Sequence, residues 1–153
     1  MTLCLRNRQH VCPVDLRLFR RILHHVLSGH FKNAEYELCF HLVESSEMTK
    51  LNEKFLNHVG PTDVITFDHA SDNAGLHGEI FICPEVAVAQ AREFRTSWQE
   101  EVVRYAIHGL LHLHGHDDLA AAARRKMKRE EERLLAEVAN HFALKRLRRS
   151  RPK

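Results

Sequence analysis

The sequence predicts an α+β fold, a single domain in which a small mixed sheet is layered with helices. Two observations lead there. The length, 153 residues, suits one ordinary domain with one core. Runs with the two-residue period of strands also alternate with runs of helical period, in the order βαβαββααα, and no polar linker divides them. Only the last ten residues stand apart: LKRLRRSRPK holds six Lys/Arg and no acid. The domain is therefore expected over 1–143, with 144–153 as a basic C-terminal tail.

Residues 2–9 make a short first strand. Asp15 caps a helix over 16–29, where Leu16, Phe19, Ile22, Leu23, Val26 and Leu27 form an apolar stripe and Gly29 is expected to close it. From Glu35 to Val43 the pattern alternates. Tyr36, Leu38, Phe40 and Leu42 face one way and Glu35, Glu37 and His41 the other, which predicts a half-buried strand. Ser46 opens a short helix to about Leu56, and Asn57-His58-Val59-Gly60-Pro61 reads as a turn. The β-branched run Thr62–Phe67 is a strand, 75–77 a loop, and Gly78–Cys83 the next strand. Pro84, with Glu85 beside it as a first-turn charge, starts a helix to about Phe94. Ser97-x-x-Glu100 is a capping box for a helix from about Trp98 to His114, stopped by Gly115. A final helix, about 119–147, places Met127, Leu134, Val138 and Phe142 on one buried stripe.

Composition excludes several classes. The chain is 44% hydrophobic and 28% charged, ordinary for a globular protein rather than a disordered one. No apolar run approaches the roughly 18–20 residues of a membrane span. Arg6 and Arg8 fall where a signal peptide would carry its apolar segment. Cys4, Cys12, Cys39 and Cys83 form no C-x-x-C pair, so reduced thiols acting as small buried hydrophobes, in a cytoplasmic protein, are expected. The formal net charge of +3 hides an asymmetry, because the ten-residue end is strongly basic and the rest is net acidic. A basic end of that kind suits an anionic partner such as RNA, or is simply solvated.

The 13 histidines raise the question of metal. His108 and His112 are four apart on the predicted helix, so both rings leave one face and can grip one ion. Chance alone gives roughly one such pair at this histidine content, so the spacing is weak by itself. Its context is stronger. The pair sits among Leu110, Leu111 and Leu113, and Gly115 lets the backbone return His116, Asp117 or Asp118 towards the same ion. A zinc protease of the H-E-x-x-H type carries its general base where this chain has Gly109, which disfavours peptide hydrolysis.

Three blocks, in order, are similar to those of the YbeY family of bacterial endoribonucleases, the rRNA maturation factors. Pro61-Thr62-Asp63-Val64-Ile65-Thr66-Phe67 resembles the family's P-T-D-V-L-S-F, and Gly78-Glu79-Ile80-Phe81-Ile82-Cys83-Pro84-Glu85-Val86-Ala87 its G-D-I-x-I-C-P-E-V-A. His108-Gly109-Leu110-Leu111-His112-Leu113-His114-Gly115-His116-Asp117-Asp118 resembles H-G-x-L-H-L-x-G-Y-D-H. The likeness spans about residues 35–140. It implies a metzincin-like α+β fold and a zinc-dependent endoribonuclease specific for single strands, acting in small-subunit rRNA maturation and ribosome quality control. The implied partners are single-stranded RNA, rRNA and the small ribosomal subunit, with no membrane.

Position by position, the resemblance implies one Zn2+ held by His108, His112 and Asp118. The family's third ligand is a histidine, so Asp118 is a departure, and His116 is the substitute ligand to weigh against it. His108, His114, His116 and Asp117 are the candidate catalytic residues, the last three as proton carriers among which the sequence does not select. Thr62, Asp63 and His58 are the candidate substrate contacts, although a cap at the strand start explains Thr62 and Asp63 equally well. A second departure concerns the family's arginine five residues before the P-T-D-V proline: here it is Leu56, with His58 or Lys54 as stand-ins. That loss motivates an alternative, a ribosome-associated RNA-binding factor with structural zinc and weak or no cleavage. A hydrolase acting on another substrate through the same metal is a further rival.

Overall fold

The computed structural model describes residues 1–70 and 75–150. Along them run β1 (Thr2–Arg8), α1 (Leu16–His30), β2 (Tyr36–Val43), α2 (Ser45–Leu56), β3 (Val64–Asp68) and β4 (Leu76–Ile82). Helices α3 (Pro84–Phe94), α4 (Trp98–Leu113) and α5 (Ala121–His141) follow, then a 3-10 turn at Leu144–Leu147. The strands form one mixed sheet in the order β1-β2-β4-β3. β1 and β4 run parallel to β2, while β3 is antiparallel to β4 at the edge. The parallel β1/β2 pair needs a crossover, which α1 supplies. Architecture and element order are those the sequence predicts.

Helix α1 starts at the expected cap: Asp15 accepts from the Leu18 N–H at 3.1 Å. Phe19, Ile22, Leu23, Val26 and Leu27 are its buried stripe. Gly29 does not close it. The helix continues to His30, and buried Phe31 fixes the exit instead. The half-buried reading of β2 holds only at its start. From Phe40 to Val43 every residue is buried, because Val43, Met48, Ile65, Phe81 and Cys83 form a second, smaller core with Leu51 of α2 on the far side of the sheet. His41 on that side is satisfied by Glu79 (2.9 Å) and Arg8 (3.0 Å) and stacks on Phe81 at 4.2 Å. The main core lies on the opposite face, between the sheet and α1, α4 and α5.

Ser97 accepts from the Glu100 N–H at 3.1 Å and so caps α4 as predicted. This helix rests unusually close to β4. A Cβ on Gly109 would come 2.9 Å from the Ile80 side chain, so the missing side chain sets the height of α4 above the sheet. Helix α5 stops at His141, short of the predicted 147, and Phe142 is extended. The reason is burial. The 3-10 turn brings Leu147, fully buried, back onto the core. The Asp15 N–H donates to the Leu147 carbonyl (2.7 Å), and the Arg149 N–H donates to that of Pro13 (2.6 Å). The start of the basic end is thus tied to the body through 149, and residues 151–153 of it lie outside the described residues. Cys12 and Cys83 are buried as expected, but Cys4 and Cys39 are only half-buried, and they face each other in register across β1 and β2. No helix among the described residues is long and apolar enough to cross a membrane.

Candidate metal centre

His108 and His112 project from the last turns of α4 with their Nε2 atoms 3.2 Å apart. Gly115, at φ +99°, then reverses the chain. The His116 N–H donates to the Leu111 carbonyl at 3.0 Å, and Asp118 is carried back over the helix end. Its Oδ2 lies 3.4 Å from His112 Nε2 and 3.9 Å from His108 Nε2. These three form a group whose ligand atoms all lie within 4.8 Å of one another. A tetrahedral ion with ligands about 2.0–2.1 Å away holds those atoms about 3.4 Å apart, so the group fits a metal of that kind. Two imidazole nitrogens facing each other at this range also need a cation or proton between them.

The other ring nitrogens fix the orientation. His108 Nδ1 is 2.7 Å from Glu131 Oε1, and His112 Nδ1 is 3.2 Å from the His116 carbonyl oxygen. Both acceptors require a hydrogen on Nδ1, which leaves each Nε2 lone pair aimed at the shared point. Glu131 comes from α5 and is only 4% exposed. Burial alone would raise its pKa, but the hydrogen bonds from His108 and Lys128 outweigh it and hold the carboxyl below its ordinary value. Arg104 of α4 joins the same layer, bonded to Glu101 at 2.9 Å and Glu131 at 3.4 Å and paired with Glu132.

The other sequence-predicted residues are spread more widely. His116 contributes through its backbone, while its side chain stands near Lys126 and Glu130 with its pKa lowered, first by burial. His114 is turned away from the group. Two residues on from His112, its ring packs on Phe31 at 5.0 Å instead. Asp117 is exposed and accepts from the Leu119 N–H at 2.8 Å, closing the turn that positions Asp118. Asp63 reaches the cleft beside His108, with Oδ1 accepting from the Val64 N–H (2.8 Å) and the Thr62 hydroxyl (3.2 Å). His58 is exposed on the loop after α2, its N–H donating to the Asn52 carbonyl at 3.3 Å. Lys54 lies over the Phe55 ring at 5.2 Å. Neither is among the walls of the cleft.

That cleft, about 410 Å³, opens beside His108 between the C-terminal half of α3, the side of α4 and the middle of α5. Sequence reasoning missed Glu131, Arg104, Gln90 and Phe94 on its walls. The signal for Glu131 was there: it falls four residues after Met127 and three before Leu134, on the predicted buried stripe of α5. A carboxylate on such a stripe needs a partner.

Fold and site together define a class: a small α+β protein with two imidazoles and one carboxylate able to hold a metal ion beside a cleft. The family model described as Endoribonuclease YbeY matches residues 5–139. Proteins described as Endoribonuclease YbeY include one from Salinibacter ruber, 30% identical over 133 residues, covering 82% of this chain and 84% of that protein. Another, from Thermobifida fusca, is 32% identical over 145 residues, covering 89% of this chain and 93% of that protein. A solution structure of a Thermotoga maritima protein shares the fold at a TM-score of 0.70 and 24% identity, over 99% of this chain and 98% of that one. The chain belongs to the YbeY endoribonuclease family.

Proposed function

We propose that this protein is a zinc-dependent endoribonuclease that cuts single-stranded RNA, in the cytoplasm, during maturation and quality control of small-subunit rRNA. One observation supports the reading above others: two imidazoles and a carboxylate converge at distances suited to a tetrahedral ion, each ring oriented from behind. His108, His112 and Asp118 would hold a single Zn2+. Bound there, zinc supplies an acidified water and a Lewis acid for a phosphoryl oxygen. Glu131 and the His116 carbonyl keep the two rings in the ligating tautomer. Asp117 fixes the turn that presents Asp118.

Charge favours a polyanion on the next element. Arg124, Arg125, Lys126 and Arg129 are exposed on the first turns of α5, one short loop after Asp118. They can steer an RNA backbone to the metal group. The rival, an RNA-binding factor with a structural metal, is supported by exposed Leu56 in the place of the family arginine and by the full pairing of Arg104. The deciding experiment is cleavage of single-stranded and duplex RNA by metal-depleted protein, with and without zinc restored. Cutting of single strands that returns with zinc and is lost in His112→Ala supports the nuclease. Tight RNA binding with zinc bound and no cutting supports the rival.

A further inference from the structure

The cleft beside the metal group is poorly suited to a phosphate. Its walls carry four carboxylates, Asp63, Glu101, Glu131 and Glu132, against two cations, Arg104 and Lys128. Both cations are engaged: Arg104 by Glu101, Glu131 and Glu132, and Lys128 by Glu131 and Glu132 at 3.1 Å each. A phosphodiester entering here meets an excess of negative charge with no uncommitted counter-charge. Yet one wall is aromatic. Phe94, the last residue of α3, is 60% exposed on it. The helix ends just beyond, where Arg95 takes a left-handed φ of 57° and its N–H bonds the Ala91 carbonyl.

Two polar groups on the same walls have hydrogen-bonding capacity left. Gln90 Oε1 accepts from the Tyr105 hydroxyl at 2.5 Å, and its amide N–H groups have no partner among the described residues. Asp63 takes both of its hydrogen bonds on Oδ1, so Oδ2 has none among them. An aromatic face, a donor and an acceptor around one cavity match a flat ring with a hydrogen-bonding edge.

We propose that this cleft is a base-binding subsite. A nucleobase next to the scissile phosphate lies on the Phe94 ring with its edge towards Gln90 and Asp63, while the phosphate stays outside at the metal group. The assignment rests on the RNA substrate proposed above, and it gives single-strand preference a physical cause. A base held in a duplex stack cannot enter, whereas an unpaired one leaves its neighbours at little cost.

The test is an abasic walk. Zinc-loaded protein is offered one single-stranded RNA with a single abasic position moved along it, in cleavable form and as an uncleavable analogue in which a methylene replaces the leaving oxygen at the cut. For the wild type, one abasic placement next to the cut should weaken binding of the analogue about 5- to 150-fold, the range for one stacked base. Phe94→Ala should lose a similar factor on intact RNA and become indifferent to that placement. Phe94→Tyr should behave as wild type, and Phe94→Leu, apolar but without a π-face, should resemble Ala. Because Phe94 is exposed, zinc content and thermal stability should be equal in all four proteins.

Two results overturn the subsite: an identical placement profile in wild type and Phe94→Ala, or full rescue by Leu. Either one, with zinc-dependent cutting intact, leaves the nuclease reading standing. Failure of that reading appears separately as no cutting in the cleavable arm, and there the binding arm still decides the subsite.

Discussion

Removing the carboxylate behind His108 should loosen the metal without unfolding the protein. Glu131→Gln keeps an oxygen that can accept the His108 Nδ1–H at the present 2.7 Å, but loses the negative charge. Glu131→Ala loses acceptor and charge together. Neither change strands a cation, since Arg104 keeps Glu101 and Glu132, and Lys128 keeps Glu132. The cost therefore falls on the imidazole, which is freed to rotate or to take the wrong tautomer. Losing a group of this kind lowers metal affinity about 10- to 100-fold, or about 1.4–2.8 kcal/mol. Gln should sit near the lower figure and Ala near the upper. The assay is competition for zinc against a chromophoric chelator, with metal-free thermal unfolding in parallel. Zinc affinity in Glu131→Ala within about twofold of wild type would refute the reasoning, because His108 would then orient itself unaided.

Asp118→Ala should reduce zinc affinity at least about tenfold, Asp118→His should restore it, and His116→Ala should leave metal content nearly unchanged, since His116 acts through its backbone. Zinc lost in His116→Ala but kept in Asp118→Ala would make His116 the third ligand. Changing Arg124, Arg125, Lys126 and Arg129 together to Gln should flatten the salt dependence of RNA binding by up to about 3 in log–log slope, at about 0.7 per phosphate contact. An unchanged slope rules out that path. Leu147→Ala should cost about 2–5 kcal/mol in chemical denaturation, whereas neutralising Lys145 and Arg146 should leave stability within about 0.5 kcal/mol. A near-silent Leu147→Ala would show that the C-terminal turn is not anchored.

Acid should weaken the fold in two stages. Burial lowers the pKa of His41, so the fold holds its neutral form; that contribution is whole above pH 6.5 and fades as pH falls through the lower folded value. Glu79 is held below 4.5 chiefly by the His69 hydrogen bond, opposed by burial and helped by His41, so its contribution is whole above 4.5 and fades below it. Arg8 and Arg6 are the other charges facing this network. Glu79→Gln should thus lose less stability than wild type between about pH 5 and about pH 3 in denaturant titrations, and parallel losses would contradict it.

What was legible in the sequence was what repeats or what caps. The α1 stripe, Ser97, Pro84 and the His108–His112 spacing are local signals, and each stands where its pattern places it. The misreadings arose where distant parts of the chain decide. Gly29 looked like a stop, but the helix exit is set by Phe31 packing. The one-sided reading of β2 did not account for α2 closing over Val43 and His41. The stripe of Met127, Leu134, Val138 and Phe142 gives no stop before 147, and the end of α5 comes from Leu147 finding room beside Val14 and Asp15. The cleft was the least legible. Glu131, Arg104 and Phe94 come from three helices and meet only in the folded chain.

The strap from Leu147 to Asp15 ties the histidine site to a part of the fold remote from it in sequence. The Asp15 N–H and the Pro13 carbonyl are satisfied by Leu147 and Arg149, more than 130 residues further on. Helix α5, which carries Glu131, is held between that strap and the histidine turn. Through α5 the strap reaches the metal group, since the His108 ring takes its rear support from Glu131. Breaking the strap should therefore leave His108, His112 and Asp118 in place but weaken their hold on zinc by no more than the loss of Glu131 does.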